Sequence, residues 1–452
     1  MRLSLFALLM VGVVAPVGAD TPSVVVPAQP AANAASATVA GKAIGPLERE
    51  GLRDLARRAE AELRVEILPF WLMHARDRER GGFFGAIDND LDVHESEPRG
   101  ALLTARILWT FSAAHRRYGT WDYREMARWA FADLQQRFWD DEHGGVIWST
   151  KANGKPLETR KQTYAQAFAI YGCAEYFRAT NDRVALECAI AIYRLLEAHV
   201  YDPEQGGYFE AMGRDWKPLA PEAGNLIGAN VPKSQNTMLH VMEAYTNLYR
   251  VWPDEGLRRR LLELVDQMIT RVLDPQTKHL QLFLAADWAP RSREVSYGHD
   301  IEFSWLVIEA AEAIGDRALV ERLQPLATSI ARVTLGEGVA PDGGVYLEGG
   351  PSGVTDRSKH WWPQAEAAVG FLNAYQLTGD ETFLRASQHS WDFIEKRIAD
   401  REHGEWFWGR DARGRVIERQ PKVGMWKCPY HNGRACLELI GRVEKLLGEP
   451  TK

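Results

Sequence analysis

The segment Arg80-Gly81-Gly82-Phe83-Phe84 is the first of six related turns along the chain. Paired glycines followed by aromatic or β-branched residues are typical of a tight turn between two short strands. Further copies begin at His143, Gln205, Thr277, Asp342 and His403, the fourth being degenerate and the sixth modified. Because the copies recur at intervals of roughly 60 to 70 residues, the chain is predicted to consist of six structural repeats.

Two stretches with helical periodicity lie between successive turns. In each stretch, apolar residues recur at positions i, i+3, i+4 and i+7, as in amphipathic helices. Short breakers separate the two stretches at Tyr118-Gly119, Asn181-Asp182, Pro253-Asp254, Gly315-Asp316 and Gly379-Asp380. A first helix over about residues 45–75 and a last helix over about residues 432–447 bring the predicted number of helices to twelve.

Six antiparallel helix pairs that each bury an apolar face can stack as an open solenoid or close into a ring. The modest number of repeats favours closure. The sequence therefore predicts an all-α fold, an (α/α)6 barrel of twelve helices with short β-hairpins roofing one mouth.

The composition is that of a globular protein. Of the 452 residues, 46% are hydrophobic and 25% are charged, and no apolar run beyond the first twenty residues is long enough to span a bilayer. The net charge is -7, and the basic residues form no stripe. Neither nucleic acid nor a membrane is therefore an expected partner.

The first residues have the pattern of a secretory signal. Arg2 precedes an apolar segment from Leu3 to Val14 and the small-residue pattern Val17-Gly18-Ala19. We expect cleavage near Ala19 and an exported, periplasmic protein. Residues 20–43 are rich in Ala, Pro and Val and are expected to form a flexible linker, which leaves residues 44–452 as the catalytic barrel.

The four cysteines show neither a CxxC pair nor metal-ligand spacing. We interpret Cys173, Cys188, Cys428 and Cys436 mainly as core residues. Cys173 and Cys188 lie about equally far from the Asn181-Asp182 turn, so an antiparallel helix pair can bring them opposite each other. Export would permit a disulfide there.

Six helices directly follow a predicted hairpin, and their first turns are rich in polar residues. These helices are expected to begin near Gly100, Lys161, Ser234, His299, Trp361 and His431. In a barrel, the N-terminal ends of one ring of helices converge on one mouth. A pocket at that mouth is the expected binding site.

Three of these six helices each contribute a histidine: His240, His299 and His431. They are either ordinary buried histidines, zinc ligands or acid/base groups. No HExxH or paired-histidine spacing supports zinc. Acid/base chemistry fits best, because imidazole both accepts and donates a proton near neutral pH.

Two charged residues are candidates for supporting roles. Glu302 lies three residues after His299 and is within reach of its ring, or it is an ordinary helical surface residue. Arg106 is flanked by apolar residues, so its guanidinium requires an anionic or oxyanionic partner. That partner is either a ligand or a core carboxylate.

Tryptophans near the helix starts indicate a sugar ligand. Indole faces suit the C–H faces of pyranose rings, and indole N–H groups can meet hydroxyls. Trp361, Trp362 and Trp426 are the candidates, with Trp362 and Trp426 as the expected platforms. Most of the sixteen tryptophans, by contrast, stand at helical spacing and are interpreted as core.

Four strings beginning at Arg99, Tyr297, His360 and Pro429 resemble the N-acylglucosamine 2-epimerase superfamily, and within it the cellobiose 2-epimerase branch. They include Tyr297-Gly298-His299-Asp300-Ile301-Glu302 and His360-Trp361-Trp362-Pro363. The resemblance extends from about residue 52 to 447. It implies epimerisation at C2 of the reducing-end glucose or mannose unit of cellobiose and β-1,4-mannobiose.

The resemblance also implies roles for individual residues. His299 and His431 would be the acid/base pair, and His240 and Arg106 would polarise O1 and O2. The residues assigned to substrate binding are Trp362, Trp426, Asn236, Glu302, Trp361 and Glu366. No metal or other cofactor is implied, and the expected partner is a disaccharide bound by a monomer or weak dimer.

Rival functions remain open from the sequence. A glycoside hydrolase on the same barrel would use carboxylates such as Asp300, Glu302, Asp342 and Glu366. The sequence is also compatible with an aldose-ketose isomerase, an N-acylhexosamine 2-epimerase and a sugar-binding module without catalysis. The absence of GxGxxG and Walker sequences is consistent with chemistry that needs no nucleotide.

Overall fold

The computed structural model describes residues 38–219 and 230–450. These residues belong to one compact unit. The predicted signal peptide and the predicted linker up to residue 37 lie outside the described residues. Both therefore stay predictions.

Twelve helices make up most of the described residues. Outer helix α1 consists of Pro46–Ala61, a π-helical turn Glu62–Ile67 and Leu68–His74. The other outer helices are α3 (Trp121–Asp133), α5 (Arg183–His199), α7 (Glu255–Gln267), α9 (Arg317–Val333) and α11 (Glu381–Phe393). The inner helices are α2 (Ala101–Tyr118), α4 (Thr163–Thr180), α6 (Gln235–Tyr249), α8 (Tyr297–Ile314), α10 (Trp361–Thr378) and α12 (Tyr430–Leu447).

Inner and outer helices differ in how much of their surface is buried. In α2 every residue from Ala101 to Ala114 is buried. In α5 only a stripe is buried, formed by Ala185, Ala189, Ile192, Tyr193 and Leu196. A helix buried on all sides lies inside a second layer, whereas an amphipathic helix covers that layer from outside.

The inner ring is closed. Each inner helix packs on the next one along the chain, and α12 packs on α10, α2 and α1. Closure distinguishes this architecture from an open solenoid and confirms the predicted (α/α)6 barrel. None of the described helices is long and apolar enough to cross a membrane.

The breakers predicted from sequence end the inner helices and start the outer ones. Left-handed backbone at Gly119, Asn181, Gly315 and Gly379 ends α2, α4, α8 and α10. The next outer helices are capped by the side chains of Asp182, Asp254, Asp316 and Asp380. We call this end of the barrel the rear, and the end where the inner helices begin the mouth.

All six turns found in the sequence are formed. Antiparallel bridges flank them, pairing Arg76 with Phe83, Trp139 with Val146, Tyr201 with Tyr208, Leu273 with Leu280, Val339 with Val345, and Ala399 with Trp406. In the degenerate fourth copy Lys278 has a φ of 65°, and in the sixth copy Glu405 has a φ of 61°. The left-handed geometry thus persists where glycine is absent.

Short strands lead directly into five inner helices at the mouth. These are β3 (Arg99–Gly100), β6 (Lys161–Gln162), β8 (Lys233–Ser234), β10 (Val295–Ser296) and β13 (Lys359–His360). Each pairs antiparallel with a strand that follows the next turn: β4 (Ser149–Thr150), β7 (Ala211–Met212), β9 (Phe283–Leu284), β11 (Glu348–Gly350) and β14 (Gly409–Arg410). Strands β5 (Pro156–Glu158) and β12 (Gly353–Asp356) extend two of these sheets.

The described fold begins at Thr38, before the predicted boundary at residue 44. Strand β1 (Thr38–Val39) pairs antiparallel with β2 (Lys42–Ala43) across a turn of positive φ at Ala40 and Gly41. Val39 is buried and lies beside Gly379 at the rear. Burial of this valine fixes residues 38–43 to the barrel, so this part of the predicted linker is structured.

The four cysteines are free thiols. Cys173 on α4 is fully buried, and the nearby thiol of Cys188 on α5 together with burial raises the pKa of Cys173 well above its usual value. The antiparallel pairing of these helices therefore brings the two side chains together as the sequence predicts, and it leaves disulfide formation open.

Candidate active site

The three predicted histidines lie together at the mouth. His240 and His431 are buried, whereas His299 is partly exposed. The pKa of His299 is well below its usual value because of desolvation and because His240 and His431 lie nearby. An imidazole with a lowered pKa is neutral at pH 7 and is available as a base.

His240 is oriented by a carboxylate on its own helix. Its Nδ1 lies 2.8 Å from Oε2 of Glu243, one turn further along α6. The carboxylate fixes the hydrogen on Nδ1 and leaves Nε2 as the basic nitrogen. Burial lowers the pKa of His240, although Glu243 opposes this shift.

His431 is oriented in the same way from a neighbouring helix. Its Nδ1 lies 2.7 Å from Oε1 of Glu366 on α10. Burial, together with Arg106 and Arg434, holds the pKa of His431 well below its usual value. Glu366 also accepts a hydrogen bond from the Trp305 indole at 3.2 Å.

His299 lacks such a carboxylate, which corrects the expectation that Glu302 orients its ring. Nδ1 of His299 has no hydrogen-bond partner within residues 38–219 and 230–450. Glu302 instead accepts a hydrogen bond at 2.6 Å from the buried guanidinium of Arg434. The His299 ring contacts Trp362, with ring centroids 4.6 Å apart.

Arg434 connects three buried carboxylates and was not predicted from the sequence. Its Nη2 donates to Glu302 at 2.6 Å and to Glu366 at 2.7 Å, and its Nη1 donates to Glu243. Burial raises the pKa of Glu302 well above its ordinary value, and Glu366 adds to the shift. One guanidinium does not balance three carboxylates, and this excess of negative charge favours the protonated form of Glu302.

Arg106 is buried without a carboxylate partner among the described residues. Its guanidinium donates to the Tyr164 hydroxyl at 2.6 Å and to the Trp426 carbonyl at 3.3 Å. It also lies over the Phe168 ring, 4.2 Å from the centroid. A buried cation whose neighbours are neutral is suited to binding an oxyanion.

The two expected platforms, Trp362 and Trp426, are partly exposed at the mouth. Trp362 contacts the rings of both His299 and His431, with centroid distances of 4.6 and 5.8 Å. Trp426 lies against Trp148 and Tyr164. Trp362 thus contacts two of the histidines directly, and Trp426 is connected to the third, His240, through Tyr164.

Two other predicted binding residues differ in position. Trp361 is buried and packs on Trp408, with ring centroids 4.5 Å apart, so the structure places it in the core rather than as a platform. Asn236, in the first turn of α6, has a buried Oδ1 with no partner among the described residues. That oxygen can accept a hydrogen bond from a ligand hydroxyl.

One group of side chains has the spacing of a metal site. Ligand atoms of Glu302, Glu366 and His431 all lie within 4.8 Å of one another. However, Arg434 donates to both carboxylates, and its positive charge opposes a second cation between them. The donor set therefore fits a guanidinium better than a metal ion.

The carboxylates proposed for hydrolysis are engaged elsewhere. Asp300 is hydrogen-bonded to His279 at 2.7 Å, and Asp342 pairs with Lys359 at 2.6 Å. Glu302 and Glu366 share the guanidinium of Arg434. Hydrolysis of a glycosidic bond requires two carboxyl groups that face the bond together. The contacts described here leave no two of these four carboxyl groups available as such a pair.

Sequence reasoning missed Glu243, Tyr430 and Arg434. Tyr430 donates a hydrogen bond to Glu243, and Arg434 lies beside both. The signal was present, since Glu243 stands three residues after His240 and Arg434 three residues after His431. That spacing places each on the same helix face as a predicted histidine.

Known proteins share both the fold and the sequence. Residues 82–435 match the family described as N-acylglucosamine 2-epimerase (GlcNAc 2-epimerase). A cellobiose 2-epimerase of Bacteroides fragilis is 44% identical over 388 residues, which cover 86% of this chain and 99% of that protein. A cellobiose 2-epimerase of Dictyoglomus turgidum is 36% identical, covering 84% of this chain and 97% of that protein.

Among solved structures, the cellobiose 2-epimerase from Bacillus thermoamylovorans matches with a TM-score of 0.81 and 38% identity. The match covers 86% of this chain and 100% of that one. Barrel and relatives together define a carbohydrate isomerase. The chain belongs to the N-acylglucosamine 2-epimerase family.

Proposed function

We propose that this enzyme epimerises C2 of the reducing-end glucose or mannose unit of β-1,4-linked disaccharides, cellobiose and mannobiose among them. The observation that carries the proposal is the convergence of three imidazoles with lowered pKa on one mouth, beside an arginine without a carboxylate partner. Relatives that share 44% and 36% identity and are named cellobiose 2-epimerases support the choice of substrate.

In the proposed first step, the sugar ring opens and a neutral histidine removes the proton from C2. The electron pair of the C–H bond moves into a C1–C2 double bond, and the C1 carbonyl oxygen becomes negatively charged. Arg106 is suited to stabilise this enediolate, because its N–H donors face neutral groups and no ion pair has to be broken when a new negative charge forms.

In the second step, a proton returns to C2 on the opposite face and the double bond reverts to a carbonyl. We assign His299 and His431 to the two faces, because both rings contact Trp362, whose partly exposed indole can support the sugar beside them. His240, together with Arg106, polarises the O1 and O2 oxygens of the sugar. The first imidazole takes up the proton that C2 loses. The second imidazole, protonated at the start of the turnover, gives up the proton that C2 gains, and proton exchange with water then returns both imidazoles to their starting states.

A product analysis separates the candidate functions. We expect incubation with cellobiose to yield glucosyl-mannose. Glucosyl-fructose as the main product would indicate an aldose-ketose isomerase, free glucose would indicate a hydrolase, and no product would indicate a binding module. Parallel incubations with mannobiose, N-acetylglucosamine and added EDTA test the substrate range and the independence from a metal.

Variants of His299 and His431 test the two-base mechanism. We expect His299→Asn and His431→Asn each to reduce epimerisation by roughly 10²- to 10⁴-fold, as is typical for loss of a positioned acid or base. In D₂O, each variant should still exchange the C2 hydrogen of one epimer, and the two variants should prefer opposite epimers. Loss of exchange with both epimers in both variants would favour a single base with rotation of the intermediate.

We also propose that the enzyme acts in the periplasm, on oligosaccharides released outside the inner membrane. The proposal is supported by the Arg2, apolar and small-residue pattern of residues 1–19. Fractionation of the producing cells tests it, with a mature N-terminus near residue 20 expected. An unprocessed chain in the cytosol would contradict it.

A further inference from the structure

A pocket of about 440 Å³ lies where strands β13 and β14 meet the end of outer helix α11. Strand β13 and the turn after strand β14 contribute to it. Its lining includes five basic side chains: Arg357, Lys359, Arg397, Arg410 and Arg413. None of these residues belongs to the site described above.

Positive charge dominates this arginine pocket. Only two acidic side chains line it, so its formal charge is +3 in a chain whose net charge is -7. Both acids are already engaged: Asp342 pairs with Lys359 at 2.6 Å, and Asp411 pairs with Arg415 at 2.7 Å. Within the described part of the chain, none of the four lining arginines forms a salt bridge with a carboxylate; Asp400, which lies near Arg410, pairs with Lys422.

The arginines are held close together although they repel one another. Nε of Arg410 donates to the backbone carbonyl of Arg397, and burial together with Arg397 lowers the pKa of Arg410. Arg357 lies over the Tyr346 ring at 5.4 Å from the centroid. Unpaired like charges in one concavity are unfavourable unless a ligand compensates them.

The loop that carries Arg413 is ordered before any ligand arrives. Oδ1 of Asp411 accepts hydrogen bonds at 2.9 Å from the backbone N–H groups of both Arg413 and Arg415. The turn closes through a backbone hydrogen bond from Gly414 to Asp411 at 2.9 Å. Preorganised donors reduce the entropy cost of binding.

We propose that the arginine pocket binds a small molecule bearing a doubly charged oxyanion, a phosphate or sulfate group. Guanidinium groups match such anions through paired N–H donors, and four of them exceed what a monovalent carboxylate needs. The concave shape and limited volume favour a small ligand over an extended polyanion.

Calorimetric titration of the full chain with pyrophosphate tests the proposal, with ionic strength held constant by chloride. We expect saturable binding to the unmodified protein. In the double variant Arg357→Gln/Arg413→Gln the dissociation constant should rise at least about tenfold, through the loss of two charge-assisted contacts. Both side chains are exposed, so the fold and the sugar turnover should be unchanged.

A matched control is the double variant Arg317→Gln/Arg385→Gln, which removes two exposed arginines paired with acids on α9 and α11. It should bind pyrophosphate as the unmodified protein does. Titrations with inorganic phosphate, sulfate and glucuronate then distinguish the source of the oxyanion. No saturable binding up to about 10 mM, equal binding by both double variants, or binding of heparin without pyrophosphate would overturn the proposal.

Discussion

Glu243 holds three groups of the site at once. Its carboxylate accepts hydrogen bonds from His240, Tyr430 and Arg434, and these interactions lower its pKa to about 2 against the effect of burial. It is therefore charged at neutral pH. A residue in this position acts on substrate only through the imidazole that it orients.

We expect Glu243→Gln to lower kcat by roughly 10- to 100-fold, since a hydrogen bond to a charged group contributes about 1.5 to 3 kcal/mol. Without the carboxylate the pKa of His240 should fall further. If protonation of His240 sets the acidic limb of the plot of kcat against pH, that limb should move to lower pH. Steady-state kinetics across pH measure both effects. Glu309→Gln, which removes a carboxylate paired with Arg250 at the rear, is the control. An unchanged kcat and pH profile would contradict the positioning role.

His279 makes the stability of the barrel depend on pH. It stands in the degenerate fourth turn, with Nδ1 2.7 Å from Asp300 and Nε2 3.2 Å from Glu337. Burial alone would lower the pKa of His279, but these carboxylates outweigh burial and raise it. Burial also raises the pKa of Asp300, so the pair keeps a proton over a wide range.

Because the folded pKa of His279 exceeds its unfolded value, its contribution is fully present below about pH 6.5 and is lost as pH rises through the folded pKa. We expect the Tm of the unmodified protein to fall from pH 6 to pH 9 more steeply than that of His279→Gln. Thermal melts over this range measure the difference. The exposed His94→Gln variant is the control. Parallel pH curves for the unmodified protein and His279→Gln would refute the assignment.

The sequence predicted that the three histidines and Arg106 lie at the mouth, because each is a polar residue in the first turns of an inner helix. It did not predict which side chains form hydrogen bonds with them. Glu302 was expected to serve His299, its neighbour in sequence, but it binds Arg434, which is 132 residues away. Contacts between helices of different repeats depend on ring closure, which local spacing does not encode.

The turns at the mouth differ from those at the rear in how tightly they are packed. A Cβ at Gly145 would lie 2.7 Å from Trp216 and 2.8 Å from Gln166. At Gly119 it would meet nothing within 4 Å, although φ is positive at both. The two positions therefore separate the cost of left-handed backbone from the cost of a steric clash.

We expect Gly119→Ala to destabilise the barrel by about 1 kcal/mol, the cost of left-handed backbone alone. Gly145→Ala should cost about 1 to 3 kcal/mol more, because side chains in a packed environment must move. Denaturant midpoints for the two variants and the unmodified protein measure the difference. Equal denaturant midpoints for the two variants would mean that Trp216 and Gln166 can move aside with no loss of stability.

The six repeats could be predicted from the sequence because glycine pairs and helix breakers recur at regular intervals. The sequence did not predict the π-helical turns that end several outer helices, among them Leu134–Phe138, Met268–Val272 and Ile394–Ile398. These segments have ordinary helical sequences. The extra residue in the turn is accommodated where the outer helix meets the mouth strands, which is a tertiary effect.

Truncation of the chain tests where the folded unit begins. We expect a chain that starts at Thr38 to keep the Tm of the full chain. A chain that starts at Ile44 loses the burial of Val39, which contributes up to about 1.5 to 3 kcal/mol, and should melt at a lower temperature. Equal Tm values for the two truncated chains would show that the first hairpin adds nothing.

Closure of the barrel was predictable from the number of repeats, whereas the first hairpin was not. Residues 38–43 contain few apolar side chains and no periodic pattern, so the sequence offered no reason to separate them from the linker. The valine that attaches them is buried against a turn more than 300 residues away.

Both ends of the described chain meet at the rear. Val39 lies beside the turn at Gly379, and Glu449 pairs with Arg53 near the start of α1 at 3.1 Å. The histidines lie at the opposite end. A surface or fusion partner joined directly at Thr38 or at Pro450 would therefore be attached to the rear of the barrel, with the mouth directed away from the attachment and accessible to sugars arriving from solution.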